Sequence, residues 1–150
     1  MKISAKARYG LRILMDIALH EAANRPRLMK EICEAQSLSE KFTSRLVIPL
    51  REAGMIHSIR GKQGGFRLAK APSDITLLDV IETMQGPISL LDCLSGPETC
   101  ARTAKCPTRL IWTDVNTAIK KTLQAITLEV ILDRLGEQKT IPLSLSEYVI

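Results

Sequence analysis

Aromatic residues are scarce in this chain, making up only 3% of its 150 residues. A β-sandwich core or a base-stacking sheet draws heavily on such side chains, so neither is expected. No apolar run approaches the roughly 18 residues that a membrane span requires, so no membrane association is expected. The opening MKISAKARYG carries charge and lacks the apolar stretch of a secretion signal, which points to a cytoplasmic protein. There is no phosphate-cradling glycine loop, no Ser/His/Asp arrangement and no conspicuous carboxylate pair. No catalytic residue is therefore assigned, and an enzyme is not expected. The two histidines, His20 and His57, are single and far in sequence from any cysteine cluster, which suits surface or hydrogen-bonded roles.

The apolar content is 45% and comes from Leu, Ile, Val, Ala and Met, a composition that favours helix packed on helix. The charge is unevenly spread. Residues 1–70 hold 14 Lys and Arg against 6 Asp and Glu, a net of +8, whereas residues 71–150 hold 7 against 10, a net of −3. A basic half joined to an acidic half is the pattern of a polyanion-binding module attached to something else.

Apolar residues at Leu11, Leu14, Met15, Ala18, Leu19 and Ala22 follow helical spacing and predict a first amphipathic helix from about Ser4. A short helix from about Leu28 to Gln36, the turn Ser37-Leu38-Ser39, and a helix from Glu40 capped by Ser39 read as a helix-turn-helix. Phe42, Leu46 and Leu50 give that last helix one buried stripe. Pro49 lies inside it, and Gly54 can supply a left-handed cap at its end. Strand-like segments at Met55–Arg60 and Phe66–Ala69, joined by Gly61-Lys62-Gln63-Gly64-Gly65, predict a hairpin wing. After Pro72, Thr76 and Asp79 form a capping box for a helix whose Leu77, Val80, Ile81 and Met84 share a face. A long helix is expected after Pro107, with Ile111, Val115, Ala118, Ile119, Leu123 and Ile126 along it and Trp112 near its start. Its leftover apolar face suits a partner subunit.

The fold class is thus mainly α with a small β wing. The expected organisation is a winged helix-turn-helix over 1–72, a cysteine-loop sensor and dimerisation region over 73–135, and a tail over 136–150.

The segment CLSGPETCARTAKC places Cys93, Cys100 and Cys106 with six and then five intervening residues in a turn-forming loop. Such spacing lets three thiolates converge on one centre. An iron-sulfur cluster, a zinc ion without the usual paired Cys-x-x-Cys knuckles, and free or redox-active thiols all fit the spacing. Disulfides do not suit a reducing cytosol. Cys33, on the first helix of the helix-turn-helix, reads as a buried structural thiol.

Together, ISAKARYGLRILMDIAL, LREAGMI, the wing HSIRGKQGGFRLAKAP, ITLLDVIE and the cysteine triplet resemble the winged helix-turn-helix iron-sulfur regulators typified by IscR and NsrR, over roughly residues 1–132. The resemblance implies a homodimeric repressor that binds a palindromic operator in double-stranded DNA. It also implies an iron-sulfur cluster on Cys93, Cys100 and Cys106 that senses iron, nitric oxide or redox state. The sequence departs from these regulators at the fourth ligand. Arg109 stands where some members place a histidine and Arg8 where others place an aspartate, which leaves Glu98, a solvent-derived ligand or another residue. Three thiolates and one labile position favour [4Fe-4S] over [2Fe-2S]. By the same resemblance, Glu40 to Glu52 is the recognition helix. Ser39, Lys41, Thr43, Ser44 and Arg45 are its candidate base readers, with Ser44 replacing a discriminating glutamate. Arg60 and Lys62 would enter the minor groove from the wing, and Ser4, Lys6, Arg8 and Tyr9 would hold phosphate. A cluster-free thiol-based regulator, or an iron-sulfur or redox carrier docking on a protein, are the alternatives.

Overall fold

Ser4 opens the first helix by accepting the Ala7 N–H on its hydroxyl at 3.1 Å, and α1 then runs Ala5–His20. The computed structural model describes residues 2–21, 25–61, 64–94, 96, 100 and 102–137. Helix α2 (Met29–Gln36) and helix α3 (Glu40–Glu52) follow. At the end of α2 the N–H groups of Ser37 and Leu38 return to the carbonyls of Glu34 (3.2 Å) and Cys33 (2.9 Å). This is a Schellman closure with Ser37 in the left-handed region at φ 53°. Helix α3 ends the same way, its Gly54 at φ 67° and the Met55 N–H bonded to Leu50 O at 3.0 Å. Glycine takes that conformation without the Cβ penalty that Ser37 carries.

Strand β1 (Ile56–Ile59) pairs antiparallel with β2 (Gly65–Leu68), with Ile56 opposite Leu68 and Ile59 opposite Gly65. Strand β1 is one residue shorter at each end than expected, and β2 has the expected length but starts and ends one residue earlier. Arg27 adds a third, single-residue rung, exchanging two backbone hydrogen bonds of 2.9 Å with Phe66. A Cβ on Gly65 would lie 2.5 Å from the Arg27 carbonyl oxygen, so only glycine permits this approach.

Helix α4 (Leu77–Gln85) begins with the expected capping box, in which Asp79 and Thr76 satisfy each other's N–H groups. The expected long helix after Pro107 is α5 (Arg109–Ala125), which stops one residue short of Ile126, and a further helix, α6 (Leu128–Glu137), follows it. The break has a tertiary cause. Ile126 is extended, its carbonyl accepts the Leu77 N–H at 2.8 Å, and the Leu128 N–H returns to Ile75 O at 2.8 Å. Thr76 and Thr127 thereby pair as an isolated bridge, and α6 folds back beside α1. Pro107 sits in the turn before α5, two residues ahead of its first helical residue.

One core serves all of these helices. Ile13, Leu14 and Ile17 of α1 are fully buried with Ile32 of α2, Leu46 and Leu50 of α3, Val80 of α4 and Leu128 of α6. Burying each such side chain contributes about 1.5–3 kcal/mol. The core continues across residue 72, so the 1–72 and 73–135 segments are packed as one body. From residue 138 on, the expected tail lies outside the described residues. Among the described residues, no helix is long and apolar enough to cross a membrane.

Candidate DNA-binding face and cysteine loop

Helix α3 buries Leu46, Val47 and Leu50, which turns Lys41 and Arg45 outward and leaves Ser44 half exposed. Ser39, also exposed, caps the helix by accepting the Phe42 N–H at 3.3 Å. The outward surface of the first two turns is therefore polar, with Lys41 and Arg45 as its long basic side chains beside the small Ser44 and the exposed Glu40. Thr43 is a correction to the expected reading set. It is fully buried, its hydroxyl donates to Ser39 O at 3.1 Å, and it accepts the Cys33 thiol at 3.3 Å. Four residues beyond Ser39, it faces α2 and cannot meet a base. Cys33 itself is half buried, and it joins α2 to α3 through this bond.

Lys6 and Arg8 are exposed at the start of α1. Tyr9 is half buried, set edge-on to Phe42 of α3 with ring centroids 5.8 Å apart. Arg12 lies over the same ring at 5.3 Å and donates to the Gln36 side chain at 2.8 Å. Tyr9 thus fixes α1 against the helix-turn-helix through its ring. The amino-terminal segment is held by Gln85 of α4, which accepts the Ser4 N–H at 2.7 Å and donates to Lys2 O at 3.4 Å.

On the wing, Arg60 is exposed, while Lys62 lies outside the described residues. The base of the wing is anchored by side chains with no sequence motif. Glu21 accepts the Leu68 N–H at 3.0 Å. The Arg27 guanidinium forks onto the buried Asp16 carboxylate at 3.0 and 3.2 Å. Glu31 receives Arg25 at 2.7 and 2.9 Å and the Leu28 N–H at 3.0 Å. Those bonds, the Arg25 guanidinium foremost, lower its pKa to about 2. His20 bonds to the Asp16 carbonyl at 2.8 Å, and His57 is exposed on β1.

The cysteine loop joins α4 to α5. Cys93 lies in a short 3-10 turn, Asp92–Leu94, and Cys106 follows another, Thr103–Lys105. Cys93 and Cys106 are half buried and Cys100 is exposed. Cys106 touches the Thr108 hydroxyl at 3.4 Å. That contact, helped by the backbone N–H groups ahead and the Arg109 charge, lowers its pKa. Arg109 reaches back to Thr103 O at 3.4 Å, and Thr103 donates to Cys100 O at 2.6 Å. The residue standing at a relative's ligand position is thus a brace for the loop. Glu98 lies outside the described residues. Three thiols, one with its thiolate favoured, are suitable donors for iron or zinc. Among the described residues, however, no three His, Cys, Asp or Glu side chains converge as a metal site. Cluster binding would require the loop to close further.

The fork on Asp16, the Gln85 clamp and the Arg12 stack were not anticipated from sequence. The Gln85 clamp and the Arg12–Gln36 bond join residues distant in the chain, and a polar residue interrupting an apolar face, as Asp16 does, is the one local sign available.

Residues 3–134 match the Rrf2 family, described as iron-dependent transcriptional regulators. The chain is 39% identical over 129 residues to the transcriptional regulator CymR of Bacillus subtilis, covering 86% of this chain and 88% of that one. The solved structure of CymR, described as the global cysteine regulator of that organism, superposes with a TM-score of 0.72 over 89% of this chain and 98% of that one, at 36% identity. The regulator IscR of Aliivibrio salmonicida is 33% identical over 139 residues, covering 92% and 82% of the two chains. The structure of T. potens IscR superposes with a TM-score of 0.73 at 31% identity, over 97% of this chain and 96% of that one.

Proposed function

The chain belongs to the Rrf2 family of transcriptional regulators, and we propose that it is a sequence-specific DNA-binding repressor of the cytoplasm whose operator affinity is set by the state of its cysteine loop. The observation that carries the DNA half is the outward face of α3, where Ser39, Lys41, Ser44 and Arg45 stand over a fully buried Leu46 and Leu50. Laid in a major groove, Arg45 can fork onto a guanine O6 and N7 while Lys41 and Ser44 meet neighbouring edges. Ser4, Lys6 and Arg8 would grip phosphate at the start of α1, and Arg60 and Lys62 would follow the adjacent minor groove. This is DNA recognition without catalysis, in keeping with relatives that are regulators rather than enzymes.

A palindromic operator follows from a homodimer built on α5. That helix buries none of its residues, and Leu110 and Ile111 are 76% and 62% exposed beside Trp112 and Val115. An apolar stripe of this kind along a 17-residue helix is what a two-fold mate would cover.

For the sensor we favour an iron-sulfur cluster held by Cys93, Cys100 and Cys106, [4Fe-4S] over [2Fe-2S], which when bound would make the loop responsive to iron, nitric oxide or redox state. The likeness to IscR and the thiolate-favouring setting of Cys106 support it. Because the thiols do not converge in this conformation, ligation selects a more closed loop, and that difference in affinity between conformations is what regulation requires. A second reading, a thiol-responsive regulator without a cluster, draws on the same unconverged loop and on the likeness to CymR.

Two measurements test the proposal. Binding to a duplex selected by the protein from a random library should weaken steeply with salt, with a slope of about −0.9 per phosphate contact. Arg45→Ala should cost about 1–3 kcal/mol on that duplex and relax its preference at one base pair. A shallow salt response without sequence preference would support a protein-docking carrier instead. Anaerobic reconstitution with ferrous iron and sulfide should give a coloured, iron-loaded protein, and a colourless product would leave the cluster-free reading.

A further inference from the structure

The last turn of α4 touches both halves of the proposed switch. On one side, the Glu82 carboxylate accepts the Ile88 N–H at 3.1 Å and pairs with Lys120 of α5 at 2.9 Å. Asn116 of α5 accepts the Leu90 N–H at 3.0 Å. The stem leading to Cys93 is therefore held by one side chain from each flanking helix. On the other side of the same turn, Gln85 uses both ends of its amide on the amino-terminal segment, bonding Ser4 N–H and Lys2 O across more than eighty residues of chain. Between these two contacts, Met84 packs where a Cβ on Gly10 of α1 would come within 3.0 Å of its Cγ. Small displacements of α4 must then move α1, because closely packed interfaces do not yield gradually.

We infer that Glu82 and Gln85 form a relay, Glu82 reading the stem of the cysteine loop and Gln85 positioning the Ser4 end of α1 for phosphate contact. The inference rests on the proposed DNA-binding reading. Gln85 is a positioning residue, since it acts through Ser4 and Lys2 and not on DNA directly. A displacement of the stem at Ile88 and Leu90 reaches Glu82 through its bond to the Ile88 N–H, and the turn carrying Gln85 then shifts the start of α1 relative to the recognition helix. The physical content is a contiguous chain of hydrogen bonds from the loop stem to the amino terminus.

Amide hydrogen exchange on the full-length protein tests the relay without DNA. Glu82→Ala, which removes the acceptor for the Ile88 N–H, is expected to raise exchange at Ile88 and also at Ser4, by roughly two- to tenfold each, the worth of one hydrogen bond. Gln85→Ala is expected to raise exchange at Ser4 while leaving Ile88 and Leu90 unchanged. It should also make the salt dependence of duplex binding shallower by about 0.9, one phosphate contact, with an unchanged melting temperature. Gln85→Glu, which keeps the acceptor for the Ser4 N–H, should restore most of that slope. A Glu82→Ala effect confined to residues 88–94 would overturn the relay. So would a Gln85→Ala protein that melts lower yet keeps the wild-type salt slope, since that is the signature of a purely structural residue. If the wild-type protein bound no duplex, the DNA-binding reading would fail while the exchange data still decided the relay.

Discussion

Replacing Asp16 with alanine isolates the interaction that holds the wing to the body of the protein. Asp16 is 7% exposed and Arg27 11%, and they meet through two bonds of 3.0 and 3.2 Å. Removing the carboxylate strands a guanidinium with few alternatives, because Glu31 stands at 3.5 Å and is already bound to Arg25. Breaking one side of a buried pair costs about 3–5 kcal/mol, and the partial help from Glu31 places Asp16→Ala near the lower end, at about 3 kcal/mol. With a urea slope of about 1.5 kcal/mol/M, the unfolding midpoint should fall by about 2 M, measured by circular dichroism at one fixed protein concentration. The double variant Asp16→Leu with Arg27→Met removes both charges and should recover more than about half of the loss, because desolvation of an unpaired charge is then no longer imposed. The Arg27 backbone carries the Phe66 rung, so Asp16→Ala should also raise amide exchange at Phe66. An unchanged midpoint, or a double variant worse than the sum of the two single ones, would refute this account of the anchor.

Three further outcomes follow from particular residues. Ser37→Gly should stabilise the protein by about 0.5–1 kcal/mol, a rise of about 1–4 °C in melting temperature, because glycine removes the Cβ strain at φ 53°. The Glu31 pKa is held down to about 2 by Arg25 and the Leu28 N–H, so its contribution is complete above about pH 4.5 and is lost as pH falls through about 2. Glu31→Gln should therefore lower the urea midpoint at neutral pH and converge with wild type toward pH 2. In sedimentation experiments, Trp112→Asp together with Leu110→Asp should convert a dimer to a monomer while leaving the far-ultraviolet spectrum intact. A dimer that survives both charges would move the interface away from α5.

Helical periodicity made α1, α3 and α4 legible, since their apolar faces repeat every three or four residues and capping residues mark all three starts. The wing was legible from its glycines. The break at Ile126–Thr127 was not, because Ile126 prolongs the apolar stripe of α5 and no Pro or Gly interrupts it. Its cause is the pairing with Ile75 and Leu77, fifty residues earlier. Thr43 failed for a related reason, since a polar residue near a helix start looks available until the backbone shows its hydroxyl bonded to Ser39 O. The cysteine triplet named itself by spacing, but spacing could not reveal that Arg109 braces the loop through Thr103 or that, among the described residues, no three ligating side chains converge as a metal site. The boundary at residue 72 followed charge and composition, whereas the packing ignores it, with α1 and α4 meeting in one core.

The claim that the cysteine loop sets operator affinity is tested most directly by fluorescence anisotropy on the selected duplex at one salt concentration. The protein would be compared before and after anaerobic reconstitution, beside a variant with Cys93, Cys100 and Cys106 all changed to serine. The account predicts that reconstitution changes the affinity of the wild-type protein by at least about fivefold, the scale of a typical coupling between sites. It predicts no change in the triple variant. Equal affinities for the treated and untreated wild-type protein would contradict it.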